Sequence, residues 1–189
     1  MVSAAPTRRA VFLDRDGVVN ANIERDRKPY APTTLADFRL LPGVGEAIRR
    51  LKAAGFLVVV VTNQPDVRTG LTPRETVDAM HAKLRAELPV DGIEACFHTD
   101  GDRCACRKPK PGMLLAAAEK HGIDLRRSWM VGDRWRDMDA GHAAGCLTVF
   151  IDYGYVQEQP VRAEKTVASL AEATQHILGC EQCQEGVAS

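Results

Sequence analysis

Four short segments of this sequence carry side chains suited to one kind of chemistry. Ala10 to Asp14 is an apolar run that ends in a carboxylate and continues as Arg15-Asp16-Gly17. FLVVVVT, from Phe56 to Thr62, is followed by Asn63. Lys108 stands just ahead of a helical stretch that starts near Pro111, and SWMVGD ends at Asp133 with Asp137 following. Carboxylates, a hydroxyl, an amide and an ammonium are what phosphoryl transfer calls for: charge on the phosphoryl oxygens must be neutralised and a nucleophile held in line. A carboxylate can be that nucleophile, forming an acyl phosphate reactive enough to hydrolyse. A second carboxylate two residues on can protonate the leaving oxygen and then activate water. Several carboxylates crowded beside a phosphate repel one another, and a hard cation with oxygen ligands, Mg²⁺ above all, resolves this. Each residue also has an ordinary alternative. A strand-ending Asp can cap a helix, Thr62-Asn63 can turn the chain, and Asp137 can serve a helix dipole.

The elements that must position these groups alternate. Ala10–Asp14, Phe56–Thr62, Ser128–Asp133 and Cys146–Asp152 are continuous apolar runs, as in strands buried on both faces of a parallel sheet. Between them, Val44, Ala47, Ile48 and Leu51 share one helical face that Gly55 closes. Thr72 and Pro73 suggest an N-cap and first helical residue, with Glu75 at the capping-box position. Further helices are predicted over 111–121, 134–144 and 169–178. The alternation implies an α/β fold, a doubly wound, Rossmann-like, mainly parallel sheet with helices on both faces. In such a sheet ligands bind at the carboxyl ends of the strands, where these residues fall. One domain is expected over 10–180, with tails at 1–9 and 181–189. Residues 20–41 contain Pro29 and Pro32 and lack periodicity, which suggests a functional loop over the site.

Cys96-Phe97-His98 and Cys104-Ala105-Cys106 bracket a polar loop. Three thiolates and one imidazole make a tetrahedral Zn²⁺ set with no position left for water, so this zinc-binding loop, 96–106, would be structural. It would position Arg107 and Lys108, which follow directly. The alternative is buried thiols and a loop histidine. Cys180 and Cys183 form a CxxC pair that is either redox-active, metal-binding or two incidental thiols on a helix end.

VFLDRDGVVN, VVVVTNQ, CRKPKPG and MVGDRWRD, in this order, resemble the four motifs of the haloacid dehalogenase superfamily of phosphatases. The resemblance implies Asp14 as nucleophile and metal ligand. Asp16 would be the general acid/base, its carbonyl a further Mg²⁺ ligand, and Asp133 would complete the set. Thr62 and Asn63 would bind the transferring phosphate, Lys108 would balance charge, and Asp137 would orient Lys108 or a metal-bound water. Arg107 and Asn20 are candidate substrate contacts, as are Lys28 and Arg68. The cysteine loop is similar to that of a branch without a large cap domain, which includes the heptose bisphosphate and histidinol-phosphate phosphatases. This chain has no room for such a cap between its motifs. CRKPKPGM resembles the heptose enzymes more closely, whereas NQPDVRTG and the long 20–41 segment depart from them. The expected substrate is a small phosphorylated metabolite, foremost a heptose bisphosphate in nucleotide-activated heptose synthesis. The alternatives are histidinol phosphate, or a zinc-stabilised binding module without turnover.

Lys plus Arg and Asp plus Glu each total 25. This balance argues against nucleic acid or an anionic membrane as partner. No apolar run approaches a bilayer span and the N-terminus lacks an apolar signal core, so a cytoplasmic protein is expected. A monomer is expected because a chain of this size can cover its own core.

Overall fold

The computed structural model describes residues 8–156, 158–160 and 162–185, the last five without their side chains. Its centre is a six-stranded sheet in which every pairing is parallel. The strands are β1 (Ala10–Leu13), β4 (Leu57–Asn63), β5 (Gly92–Cys96), β6 (Trp129–Gly132), β7 (Leu147–Ile151) and β8 (Lys165–Val167), in the spatial order β5-β4-β1-β6-β7-β8. The chain runs outward from β1 to β5, then returns to the other side of β1 to add β6. The crevice at the carboxyl ends of β1 and β6 is therefore the switch point where such folds bind ligands. A two-stranded antiparallel hairpin, β2 (Ile23–Arg25) and β3 (Lys28–Tyr30), stands apart from the sheet.

Side-chain alternation along the strands builds two cores. Val11, Leu13, Val58, Val60 and Val131 face one layer. There they meet α1 (Val44–Ala53), α3 (Arg74–Glu87), which follows the one-turn α2 (Asp66–Thr69), and α6 (Leu170–Glu185) through residues such as Ile48, Met80, Leu84 and Ile177. Ala10, Phe12, Val59, Val61 and Met130 face the opposite layer. It contains α4 (Gly112–His121) and α5 (Trp135–Ala144), with Leu114, Ala117 and Ala140 buried. Both faces being covered explains why the strands read as unbroken apolar runs.

Several expectations shift. The Thr72 cap and its Glu75 capping box are not made: α3 starts at Arg74 with Pro73, in extended conformation, at its N-cap. β5 alternates weakly and β8 has three residues, so neither stands out as an apolar run. The segment over 20–41 holds the hairpin. The last helix continues to Glu185, into the stretch read as a tail; 1–7, 186–189 and the Cys183 side chain lie outside the described residues. Among the described residues no helix is long and apolar enough to cross a membrane.

Candidate active site and metal centre

Asp14 follows β1, and its backbone N–H donates to the Val131 carbonyl of β6 at 2.9 Å, tying the two strand ends together. Asp133 follows β6, and Asp137 lies in the first turn of α5. Carboxylate oxygens of Asp14, Asp133 and Asp137 all lie within 4.8 Å of one another, and all three residues are buried. Gly17, at φ +86°, makes this approach possible: a Cβ there would run into the Asp133 carboxylate.

Lys108 is 2% exposed. Its ammonium reaches Asp14 Oδ1 at 2.9 Å, Asp137 Oδ1 at 2.5 Å and the Val61 carbonyl at 2.8 Å, so each of its three protons has an acceptor. Its backbone is fixed as well. Asn63 Nδ2 donates to the Lys108 carbonyl at 3.0 Å, and the Lys108 N–H donates to Asn63 Oδ1 at 3.1 Å. Asn63, expected on the phosphate, thus grips the lysine segment, although it also lines the cavity described below. Thr62 is fully buried and accepts from Gln64 Nε2 at 2.9 Å. Asp137 accepts through Oδ2 from the Arg134 N–H at 3.0 Å. Both its oxygens are therefore engaged, one on the helix end and one on Lys108.

Asp16 is surrounded by donors. Oδ1 accepts from Arg15 Nη2 at 2.9 Å and Asn20 Nδ2 at 2.9 Å, and Oδ2 from Gln64 Nε2 at 2.7 Å. Asn20, a candidate substrate contact, is fully buried and spends its amide on Asp16 and on the Ala21 carbonyl. Arg15, Gln64 and Asn22, whose Nδ2 donates to Asp133 Oδ2 at 2.8 Å, were not singled out by the sequence. Their motif neighbours were the available signal: each lies within a few residues of Asp14, Thr62 or Asn20.

These surroundings drive the carboxylates apart in acidity. Burial first, then the charges of Asp137 and Asp16, raise Asp14 to about 7 against the opposing pull of Lys108. Burial, with Asp14 and Asp137 nearby, raises Asp133 well above the carboxylate range. Burial also pushes Asp16 upward, but the Arg15 charge and the hydrogen bonds from Asn20, Arg15 and Gln64 outweigh it and hold this carboxyl below its ordinary value. On Lys108, Asp137 and Asp14 outweigh burial and keep the ammonium charged. Buried carboxylates that repel one another fit a hard divalent cation with oxygen ligands, and a bound cation would bring Asp14 and Asp133 back to the ionised form.

The cavity above these groups measures about 390 Å³. Asp14, Asp16 and Lys108 line its floor, with Arg107, Arg134 and Arg136 around it. Trp135, the hairpin residues Pro29 and Tyr30 and the carboxylate residues Asp66 and Glu158 also line it, and Arg134 Nη2 donates to the Pro29 carbonyl at 2.9 Å, holding hairpin to helix. Arg107 Nε and Arg136 Nη1 both donate to Asp100 at 2.8 Å. Lys28 and Arg68 do not line this cavity; Arg68 instead pairs with Asp102 at 3.4 Å.

Cys96, His98, Cys104 and Cys106 converge as a second group, with their ligand atoms within 4.8 Å of one another. The Cys96–Cys106 and Cys96–Cys104 sulfur separations are 3.1 and 3.7 Å, and His98 Nδ1 lies 3.4 Å from Cys106 Sγ. Four ligands around one centre at ~2.0–2.3 Å need separations of about this size. Burial first, then the Cys106 thiol, pushes Cys96 up to about 12, so a cation is needed before all three sulfurs ionise together. The donor chemistry fits Zn²⁺. Gly112, at the start of α4, admits the loop: a Cβ there would strike the Ala105 carbonyl, which accepts from the Gly112 N–H at 3.2 Å.

Known proteins share this arrangement. A family model described as HAD-hydrolase-like matches residues 105–173. A relative from Pseudomonas putida, named D-glycero-beta-D-manno-heptose-1,7-bisphosphate 7-phosphatase, is 40% identical over 151 residues, covering 77% of this chain and 83% of its own. One of the same name from Yersinia pestis is 38% identical over 173 residues, covering 85% and 87%. The crystal structure of D,D-heptose 1,7-bisphosphate phosphatase from B. bronchiseptica, complexed with magnesium and phosphate, superimposes with a TM-score of 0.78 at 34% identity, over 90% of this chain and 98% of that one. With likeness of this degree across most of its length, the chain belongs to the haloacid dehalogenase-like hydrolases, in the family of phosphatases that these relatives represent.

Proposed function

We propose that this phosphatase removes one phosphate from a heptose bisphosphate through an aspartyl-phosphate intermediate, with Asp14 as nucleophile. The observation that carries the reading is the Lys108 ammonium held between Asp14 and Asp137 at the floor of the cavity. It fixes one Asp14 oxygen and leaves the other to attack phosphorus in line. Asp14, Asp133 and the Asp16 carbonyl would hold Mg²⁺, which when bound neutralises charge on the phosphoryl group. Asp16 is proposed to pass a proton to the departing sugar oxygen and then to remove one from the water that hydrolyses the acyl phosphate; the donors around it favour its ionised form and so the second of these steps. Thr62, on the β4 end, supports the phosphate through its hydroxyl. Asn63 serves by holding the Lys108 backbone. Arg107 and Arg136, which share Asp100, and Arg134 face the cavity together with the carboxylates of Asp66 and Glu158, and the guanidinium groups suit a second anionic group on the substrate. The cysteine loop would hold structural Zn²⁺ and so anchor the segment that delivers Arg107 and Lys108. The names of the relatives support the heptose bisphosphate over histidinol phosphate, and the role proposed with it is in nucleotide-activated heptose synthesis in the cytoplasm.

The test is phosphate release from heptose 1,7-bisphosphate, fructose 1,6-bisphosphate, histidinol phosphate and mononucleotides, with Mg²⁺ and then with EDTA. Preference for the heptose compound, lost in EDTA, is expected. Equal kcat/KM across the panel overturns the substrate, and release that persists in EDTA overturns the role of the cation.

A further inference from the structure

Arg15 and His81 are buried beside the site, and the reaction as described uses neither. Arg15 is fully buried. Its Nε and Nη2 both reach Asp16, at 3.2 and 2.9 Å to Oδ1 and, from Nη2, 3.1 Å to Oδ2. Its remaining nitrogen, Nη1, lies 3.3 Å from Nε2 of His81, which comes from the middle of α3 and is 7% exposed. The flat Arg15 group also stands 5.5 Å from the Phe38 ring centre. A guanidinium has donors and no acceptors, so His81 Nε2 must accept and the imidazole must carry its proton on Nδ1. A neutral ring is what this setting favours, because burial and the charges of Arg15 and Arg85 oppose a second cation more strongly than Asp16 and Asp78 support it.

We propose that His81 is a positioning residue for Asp16, acting through Arg15. By accepting from Nη1 it sets the plane of the guanidinium, so that Nε and Nη2 fork onto one carboxylate. Without that acceptor Arg15 keeps its charge but loses one of its fixed points, and Asp16 loses the alignment its proton transfers need. Sequence separation hides the connection, since His81 lies 66 positions from Arg15 and in no motif. The inference rests on the reading of Asp16 as acid and base.

Leaving-group dependence separates positioning from support of the fold. A sugar alkoxide needs a proton to depart, whereas p-nitrophenolate and acetate do not. The experiment compares kcat/KM, which reports departure of the leaving group and not the hydrolysis step common to all substrates, on the preferred sugar phosphate, p-nitrophenyl phosphate and acetyl phosphate for wild type, His81→Leu and His81→Gln. A placed acid contributes ~10²–10⁴-fold, so His81→Leu is expected to lose about tenfold or more on the sugar phosphate and much less on the activated esters. His81→Gln, whose amide oxygen can accept from Nη1, should restore most of the loss. Arg15→Lys keeps the charge but not the fork and should show the same selective loss, which gives a reading even if leucine at 81 prevents folding. Equal losses of kcat/KM on all substrates would reduce His81 to a packing residue and overturn the proposal, as would unchanged kcat/KM on the sugar phosphate. Asp14→Asn is the control: turnover that survives there overturns the aspartyl-phosphate reading, whereas loss there with unaffected His81→Leu overturns this inference alone.

Discussion

Lys108 concentrates the electrostatics of the site in one side chain. Its ammonium compensates two buried carboxylates, and each of those is also a charge removed from water. Replacing Lys108 by Ala leaves Asp14 and Asp137 facing each other without a cation, which in a buried pair costs about 3–5 kcal/mol. The expected result is a marked fall in melting temperature together with loss of turnover, read by calorimetry and phosphate release. A variant as stable as wild type would mean that the carboxylates had found another partner. At this scale the sequence was informative where chemistry and position coincide. Asp14, Lys108, Asp133 and Asp137 meet because each sits at or beside a strand end or helix start. It was less informative for Asn20 and Asn63, because an amide can serve the backbone, a neighbouring carboxylate or a ligand equally well. Only the packing shows that Asn20 is spent within the protein and that Asn63 holds the Lys108 backbone while still lining the cavity.

Among the elements, the cysteine loop between β5 and α4 has the plainest dependence on something beyond its own packing. Its single helical turn, Asp100–Asp102, has no buried residue, and its shape rests on Thr99, Asp102 and the cluster of four ligands. Arg107 and Lys108 leave this loop directly into the cavity. Cys104→Ser is expected to lower bound zinc, measured by elemental analysis, and to lower kcat/KM in step with it. Full activity in zinc-free protein would separate the loop from catalysis. The loop was legible because four ligands of two residue types crowd into eleven positions. The hairpin over 23–30 was not. Two three-residue strands bury little, and they are fixed over the cavity by distant segments: Arg134 reaches the Pro29 carbonyl, and Arg27 exchanges hydrogen bonds with Gly154 and Val156.

For the whole molecule, the parallel, doubly wound sheet was legible in four unbroken apolar runs alternating with amphipathic helices, whereas the order β5-β4-β1-β6-β7-β8 is seen only in the structure. The edge strands β5 and β8 escaped notice because an edge is half solvated and short. Folding also sets how stability responds to acid. Burial, then Arg15 and Arg85, lower His81 from an ordinary 6.5 to about 4. Above pH 6.5 the ring is neutral whether the chain is folded or not. As pH falls from about 6.5 towards 4, the unfolded chain takes up a proton that the folded one refuses, so this contribution to stability declines across that window. His81→Leu should therefore show a smaller drop in melting temperature between pH 7 and pH 5 than wild type. An identical drop in both would mean that His81 titrates alike in the folded and unfolded states.

The central claim is that phosphate passes through Asp14, and its most direct test is to trap the phosphoenzyme. Substrate labelled in the transferred phosphate is mixed with enzyme and Mg²⁺, quenched in acid within the first turnover, and digested. The label is predicted on the peptide that contains Asp14, and absent from Asp14→Asn. Rapid turnover with no labelled peptide at any quench time, or label on another residue, would contradict it.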